Sequence, residues 1–187
     1  MNGRESGDDV VVEMFATEDL TEAQRASVID LCNAAHETDE FRKLFAVYIP
    51  SGGRHFLAYR GAELVSHAVV TTRWAQPEGG PPLRTAFVDA VGTLPAHQGR
   101  GYSSATMRRL ATEVGDYEIG CLQTDRVSFY TRLGWEPWRG LLAGRGEDGL
   151  IPTPQQRGVM VLRLPRTPEL DLDGQLTIES QPHRIWE

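Results

Sequence analysis

The sequence predicts an α/β protein on a mixed, mostly antiparallel sheet with helices on both faces. Three observations predict it. Runs with a period of two residues alternate with runs of helical period along the chain. Two adjacent strand-like runs flank a short Gly-Ala turn, and the second half reads strand, helix, strand, helix, strand.

Taken in order, VVVEMFA (10–16) has strand character, and Thr21 with Gln24 forms a capping-box pattern ahead of a helix. Val28, Leu31, Cys32 and Ala35 recur at helical spacing as its buried face. A second short helix starts near Thr38, with Asp39 and Glu40 in its first turn and Phe41, Leu44 and Phe45 inward. RHFLAYR (54–60) and ELVSHAVVTTRW (63–74) form a hairpin around Gly61-Ala62, and QPEGGPP then breaks the chain as a loop.

LRTAFVDAVGTL (83–94) is a strand whose centre is apolar except at Asp89, as expected where both faces are covered. From Gly101 a helix presents Met107, Leu110, Ala111 and Val114 on one face and stops at Gly115. YEIGCLQT (117–124) is the next strand. Asp125 caps a helix carrying Val127, Tyr130 and Leu133, ended by Gly134. GVMVLRL (158–164) is a further strand, followed by a proline-marked tail, 165–187.

The chain of 187 residues reads as a disordered start, 1–9, and a single domain, 10–187, long enough to bury a core without disulfides or metals. MNGRESGDD is polar and acidic, unlike a signal peptide, and no apolar run reaches membrane-spanning length. Cys32 and Cys121 lack metal or redox spacing, which fits a reduced cytoplasmic protein without a metal site. A net charge of -7 argues against nucleic acid and suits a cationic partner, although solubility alone also accounts for it.

The most informative stretch is VGTLPAHQGRGYSSATMRRLA (91–111), an open turn between a strand and a helix. Helix N-termini present unpaired N–H groups and favour anions. A P-loop would need Lys followed by Ser or Thr at the helix start, and no such pair is there. A dinucleotide site would place its glycines directly after the first strand, whereas Pro95–Gln98 intervene and the turn lies in mid-chain. The bland alternative is a flexible connector.

The pattern Gln98-x-x-Gly101-x-Ser103 after Val91-Gly92-Thr93 resembles the acetyl-CoA loop of the GNAT acetyltransferase superfamily, with Ser103 where the family has Gly or Ala. A second segment, DRVSFYTRLGWEPW (125–138), resembles the family's Phe-Tyr-x-x-x-Gly-Phe motif through Phe129, Tyr130, Gly134 and Trp135. The resemblance implies the GNAT fold with a central strand splay holding acetyl-CoA, cofactor contacts from Val91, Gly92, Thr93, Gln98, Gly99, Arg100, Gly101, Tyr102, Ser103 and Ser104, and Tyr130 as proton donor to the CoA thiolate. Asp89, a carboxylate in an apolar strand just before the loop, is the candidate base, with Glu118 and His67 in reserve. Its structural alternative is a buried ion pair with Arg84 or Arg73.

From Phe87 to Trp138, and weakly through the tail, the chain is similar to aminoglycoside 2'-N-acetyltransferases. That implies a small cationic amine substrate, a homodimer, and a pocket lined by Asp39, Glu40, Asp89, Ala90, Gln123, Gln156, Trp186 and Glu187. Gln156 and Arg184 stand where acids are expected, which points to a less cationic drug of kasugamycin type. Helix-dipole complementation also accounts for Asp39 and Glu40, and core packing for Trp186. The rival readings are a GNAT enzyme of another small amine or protein N-terminus, and a non-catalytic acetyl-CoA-binding module.

Overall fold

The computed structural model describes residues 10–48, 51–181 and 184–186, the side chains of Leu44 and residues 46–48 excepted. The start at 1–9, expected to be disordered, and the pocket residue Glu187 lie outside the described residues, as does the side chain of Leu44, expected to face inward. Helices α1 (Glu22–His36), α2 (Glu40–Tyr48), α3 (Tyr102–Glu113) and α4 (Val127–Thr131) alternate with ten strands. These are β1 (Val10–Ala16), β2 (Arg54–Arg60), β3 (Glu63–Pro77), β4 (Leu83–Thr93), β5 (Ile119–Gln123), β6 (Glu136–Pro137), β7 (Leu142–Gly146), β8 (Gly149–Pro152), β9 (Val159–Arg163) and β10 (Leu176–Glu179). The chain forms two compact units, crossing between them within β3, β4 and α3.

The first unit holds residues up to Val69 and Ala90–Leu110. In it β1 pairs antiparallel with β2, from Val10↔Arg60 to Ala16↔Arg54. The Thr21 capping box forms as predicted: its hydroxyl accepts from the Gln24 amide at 3.1 Å, and its own amide donates to Gln24 Oε1 at 3.0 Å. Helix α1 buries Val28, Leu31 and Cys32 against Phe41, Phe45, Leu57 and Val69. Ala35 lies at the margin of this core. Gly61 takes a φ of 58° at the hairpin turn, a conformation that costs a residue without Cβ little.

The second unit holds Val70–Asp89 and Ala111 onward, with strand order β6-β9-β5-β4-β3-β10-β7-β8. Strand β4 pairs parallel with β5 from Thr85↔Ile119 to Val88↔Leu122. Beyond that step Asp89 follows, and Ala90 has a positive φ of 49°. The core gathers Leu83, Phe87, Ile119, Cys121, Val159, Val161, Ile178 and Trp186.

Several expectations are corrected. The second strand of the hairpin runs to Pro77, so Gln76 and Pro77 belong to β3 and not to a loop. Asp125 does not cap α4; Arg126 occupies the cap, and its amide donates to Thr124 Oγ1 at 2.9 Å. Val127 is exposed, because α4 is too short to present a full buried stripe. The tail is not an appendage alone. Its strand β10 lies between β3, antiparallel, and β7, parallel.

Candidate active site

In the first unit, α3 begins where the glycine-rich turn ends. The Ala105 amide donates to Gly101 O at 2.9 Å, so the amides of Tyr102, Ser103 and Ser104 precede the helix's own hydrogen-bond ladder. Gly99 and Gly101 have φ of 75° and 87°, and a Cβ built on either would meet no atom within 4 Å. Gln98, Gly99, Arg100 and Gly101 are exposed. The donor set suits an anion such as a diphosphate. It fits a nucleotide-linked coenzyme.

Polar side chains fasten this turn to the end of β4. Ser66 Oγ donates to Gly92 O at 2.8 Å, and Thr93 Oγ1 donates to Ser66 Oγ at 2.9 Å. With the Thr93 proton spent, the Ser103 hydroxyl, 2.5 Å away, is the donor to Thr93. Ser103 therefore faces the strand, and Gln98 Nε2 donates to Thr93 O at 3.3 Å. Gly92 is buried against Ala35 and Leu31; Val91 is half-buried, and Tyr102 packs edge-on against His97 at 5.8 Å.

Behind Ala90 runs a buried chain of imidazoles. His67 Nδ1 is 2.8 Å from Ala90 O, His55 Nδ1 is 3.0 Å from His67 Nε2, and Thr17 Oγ1 is 3.2 Å from His55 Nε2. A carbonyl only accepts, so His67 carries its proton on Nδ1 and His55 donates from Nδ1 to His67 Nε2. Burial holds His67 down at about 4 and His55 at about 3. His67 is thus neutral and occupied, a brace for Ala90. Nor does Glu118 stand free as a reserve base, since it accepts from the Arg84 amide at 2.7 Å.

In the second unit, Asp89 is half-buried at the last step of β4 before the chain leaves that unit. Its Oδ2 accepts from Arg184 Nη2 at 2.8 Å. The partner is neither Arg84, which pairs with Asp116, nor Arg73, which pairs with Glu179. Burial raises the Asp89 pKa, with Arg184 and Arg73 pulling the other way. A carboxylate so raised is a stronger base than a free one.

Tyr130 is buried on α4, edge-on to Phe129 at 4.9 Å and to Trp135 at 6.0 Å. Burial pushes its phenol up to about 12. Nearby in sequence, Trp138 donates from Nε1 to Gly174 O at 2.9 Å, tying the GWEPW segment to the tail. Among the predicted pocket residues, Gln123 and Gln156 both donate to Arg157 O, at 3.3 and 3.1 Å. Asp39 is exposed and 3.6 Å from Lys43, one helical turn on, while Glu40 is exposed. Trp186 is fully buried in the core cluster that also holds Phe87.

Sequence reasoning misses the Ser66–Thr93–Ser103 relay and the His55–His67 pair. The available signal is polar residues, Ser66 and His67, inside an apolar strand run. Among the described residues no cluster of His, Cys, Asp and Glu could hold a metal, and no helix is long and apolar enough to cross a membrane. Both cysteines are free and buried.

Residues 17–138 match a family profile described as an acetyltransferase (GNAT) domain. No curated protein matches the sequence. Among solved structures the chain is similar to a GCN5-related N-acetyltransferase from Kribbella flavida, with 24% identity, TM-score 0.53, and 70% of this chain and 34% of that one covered. It is similar to Eis1 from Mycobacterium abscessus, with 22% identity, TM-score 0.57, and 67% and 31% covered. A GNAT family N-acetyltransferase (YhbS) from Escherichia coli, in complex with CoA, shares 13% identity at TM-score 0.66, with 93% and 91% covered. The chain spans about a third of the length of the first two. These likenesses establish the fold.

Proposed function

Since the chain belongs to the GNAT acetyltransferase family, we propose that it transfers an acetyl group from acetyl-CoA to a primary amine of a small acceptor, with residues 10–187 acting as one catalytic domain. The observation that carries the reading is the start of α3, where amides 102–104 lie outside the helix's own bonds next to two unobstructed glycines. Tyr102, Ser103 and Ser104, with the backbone of Gln98–Gly101, hold the coenzyme's diphosphate, and Val91–Thr93 line its arm. When bound, acetyl-CoA supplies an activated acetyl group: the acceptor nitrogen bonds to the carbonyl carbon as the carbon–sulfur bond breaks.

Asp89 takes the proton that an ammonium must lose before it can attack, directly or through a water. Tyr130 donates a hydrogen bond to the departing sulfur. At a pKa of about 12 it holds its own proton more tightly than a thiol of about 8.5 does, so its contribution is stabilisation of developing charge before outright proton release.

The acceptor implied by the sequence resemblance is an aminoglycoside 2'-amine, with Asp39, Glu40, Ala90, Gln123, Gln156, Trp186 and Glu187 around it and a homodimer as the working form in the cytoplasm. Arg184 on Asp89 neutralises the one carboxylate of β4. That favours a weakly cationic acceptor over the most highly aminated drugs. Thiol release from acetyl-CoA across a panel of small amines and aminoglycosides tests the reading. Turnover with at least one amine, lost in Asp89→Asn and Tyr130→Phe, is the expected result; no turnover with any amine, or both variants fully active, refutes it.

A further inference from the structure

Two guanidinium groups flank the Phe87 ring, and they and an indole of the same core cluster carry N–H groups with no acceptor among the described residues. Arg73, fully buried, lies with its guanidinium carbon 4.7 Å from the ring centroid. Its Nη2 donates to Glu179 O at 2.5 Å, while Nη1 and Nε have no hydrogen-bond partner, Nε standing 3.5 Å from Glu179 Oε1. Arg184 approaches the same ring at 5.7 Å. It spends Nη2 on Asp89 and Nε on Gln181 Oε1, at 2.8 and 3.2 Å, which leaves Nη1 unpaired. The third is Trp186, 1% exposed in the same apolar cluster, whose indole Nε1 is also unpaired.

Guanidinium and indole groups only donate, so nothing within the cluster can satisfy them. Buried donors left unpaired are costly, and most so on charged groups. The nearby carboxylates are already engaged: Asp89 accepts from Arg184 Nη2, and Glu179 Oε2 accepts from the Trp74 amide. An anion is therefore the fitting partner. A guanidinium edge matches a planar carboxylate, whereas phosphate would bring more negative charge against Asp89 and Glu179.

We infer that the acyl acceptor carries a carboxylate as well as its amine, and that Arg184, with Arg73 and the Trp186 indole, binds that carboxylate. The inference names the acceptor class of the acetyl-transfer reading and rests on it for the amine end only. Asp89, beside Arg184, retains 14% of its side-chain surface in solvent. The carboxylate takes the free Nη1 of Arg184 and so draws that guanidinium's charge away from Asp89. The base and the anchor are thereby set next to each other, as an amino acid or a carboxylated amino sugar requires.

The test is a ¹H–¹⁵N spectrum of the indole groups of the full chain. Its four tryptophans give four signals, with the Trp186 signal assigned by Trp186→Phe. Acetate and propionate are titrated against acetamide, propionamide and inorganic phosphate. The carboxylates should move the Trp186 signal saturably and the amides should not; Arg184→Gln and the milder Arg73→Lys should each weaken the carboxylate response by roughly tenfold or more. In parallel, free amino acids should exceed their carboxamides in kcat/KM by roughly tenfold or more, a preference that shrinks in Arg73→Lys. A Trp186 signal that ignores carboxylates, or responds equally to amides or better to phosphate, overturns the inference and leaves water as the occupant. Equal kcat/KM for acid and carboxamide overturns it too. Carboxylate binding without acetylation of any amine would instead sink the transfer reading and leave the carboxylate site standing.

Discussion

Arg184 reaches across 95 residues of sequence to donate to Asp89 at 2.8 Å, so the carboxylate of β4 is paired with a residue of the tail. Replacing Arg184 by Gln leaves that carboxyl buried without its cation. Its pKa then rises further, and the acid limb of the rate profile, where a base is lost by protonation, moves to higher pH. Breaking such a pair costs about 3 kcal/mol. Urea unfolding and a pH profile of kcat/KM check the two effects separately.

Tyr130→Phe removes the donor to the departing sulfur with little change in packing, since the rings on either side remain. We expect kcat to fall by roughly 10²-fold with KM for acetyl-CoA nearly unchanged. Because the phenol titrates only at about 12, the wild-type profile should show no alkaline loss from this group at ordinary assay pH. Steady-state kinetics with both proteins is the measurement.

The buried His55–His67 pair predicts acid sensitivity with a definite sign. Both imidazoles titrate below the unfolded value of about 6.5, so the unfolded chain binds more protons beneath it. Their contribution is complete above about pH 6.5, declines as the pH drops, and continues to decline until about 4 for His67 and about 3 for His55. Urea midpoints between pH 7 and 4 should fall more steeply for the wild type than for His55→Gln. Equal slopes would remove the pair as the cause.

Gly140 sits where the segment after Trp138 touches the tail. A Cβ there would lie 1.8 Å from Gly174 O and 2.5 Å from Asp173 O, both backbone atoms that cannot turn aside. Gly140→Ala should destabilise the protein by more than about 2 kcal/mol. A urea midpoint equal to the wild type's would show that the tail is not seated here.

What the sequence makes legible is what is local. The Thr21–Gln24 capping box closes within three residues, and the Gly61 turn and the α3 start need only their neighbours. The site's partners are distant and therefore illegible. Asp89 could be marked as anomalous in an apolar strand, but nothing near it points to Arg184 rather than Arg73 or Arg84. Strand β10, LTIE, is only four residues long; pairing with β3 on one side and β7 on the other makes it a strand. The Asp125 cap fails because the cap position falls one residue later, on Arg126, and no side chain caps the helix there.

The most direct measurement is mass spectrometry of an amine acceptor after incubation with the protein and acetyl-CoA. The account predicts one acetyl group on the acceptor nitrogen for each CoA thiol released, with none retained on the protein. Thiol release that leaves every amine unmodified, or an acetyl group accumulating on the chain itself, would contradict it.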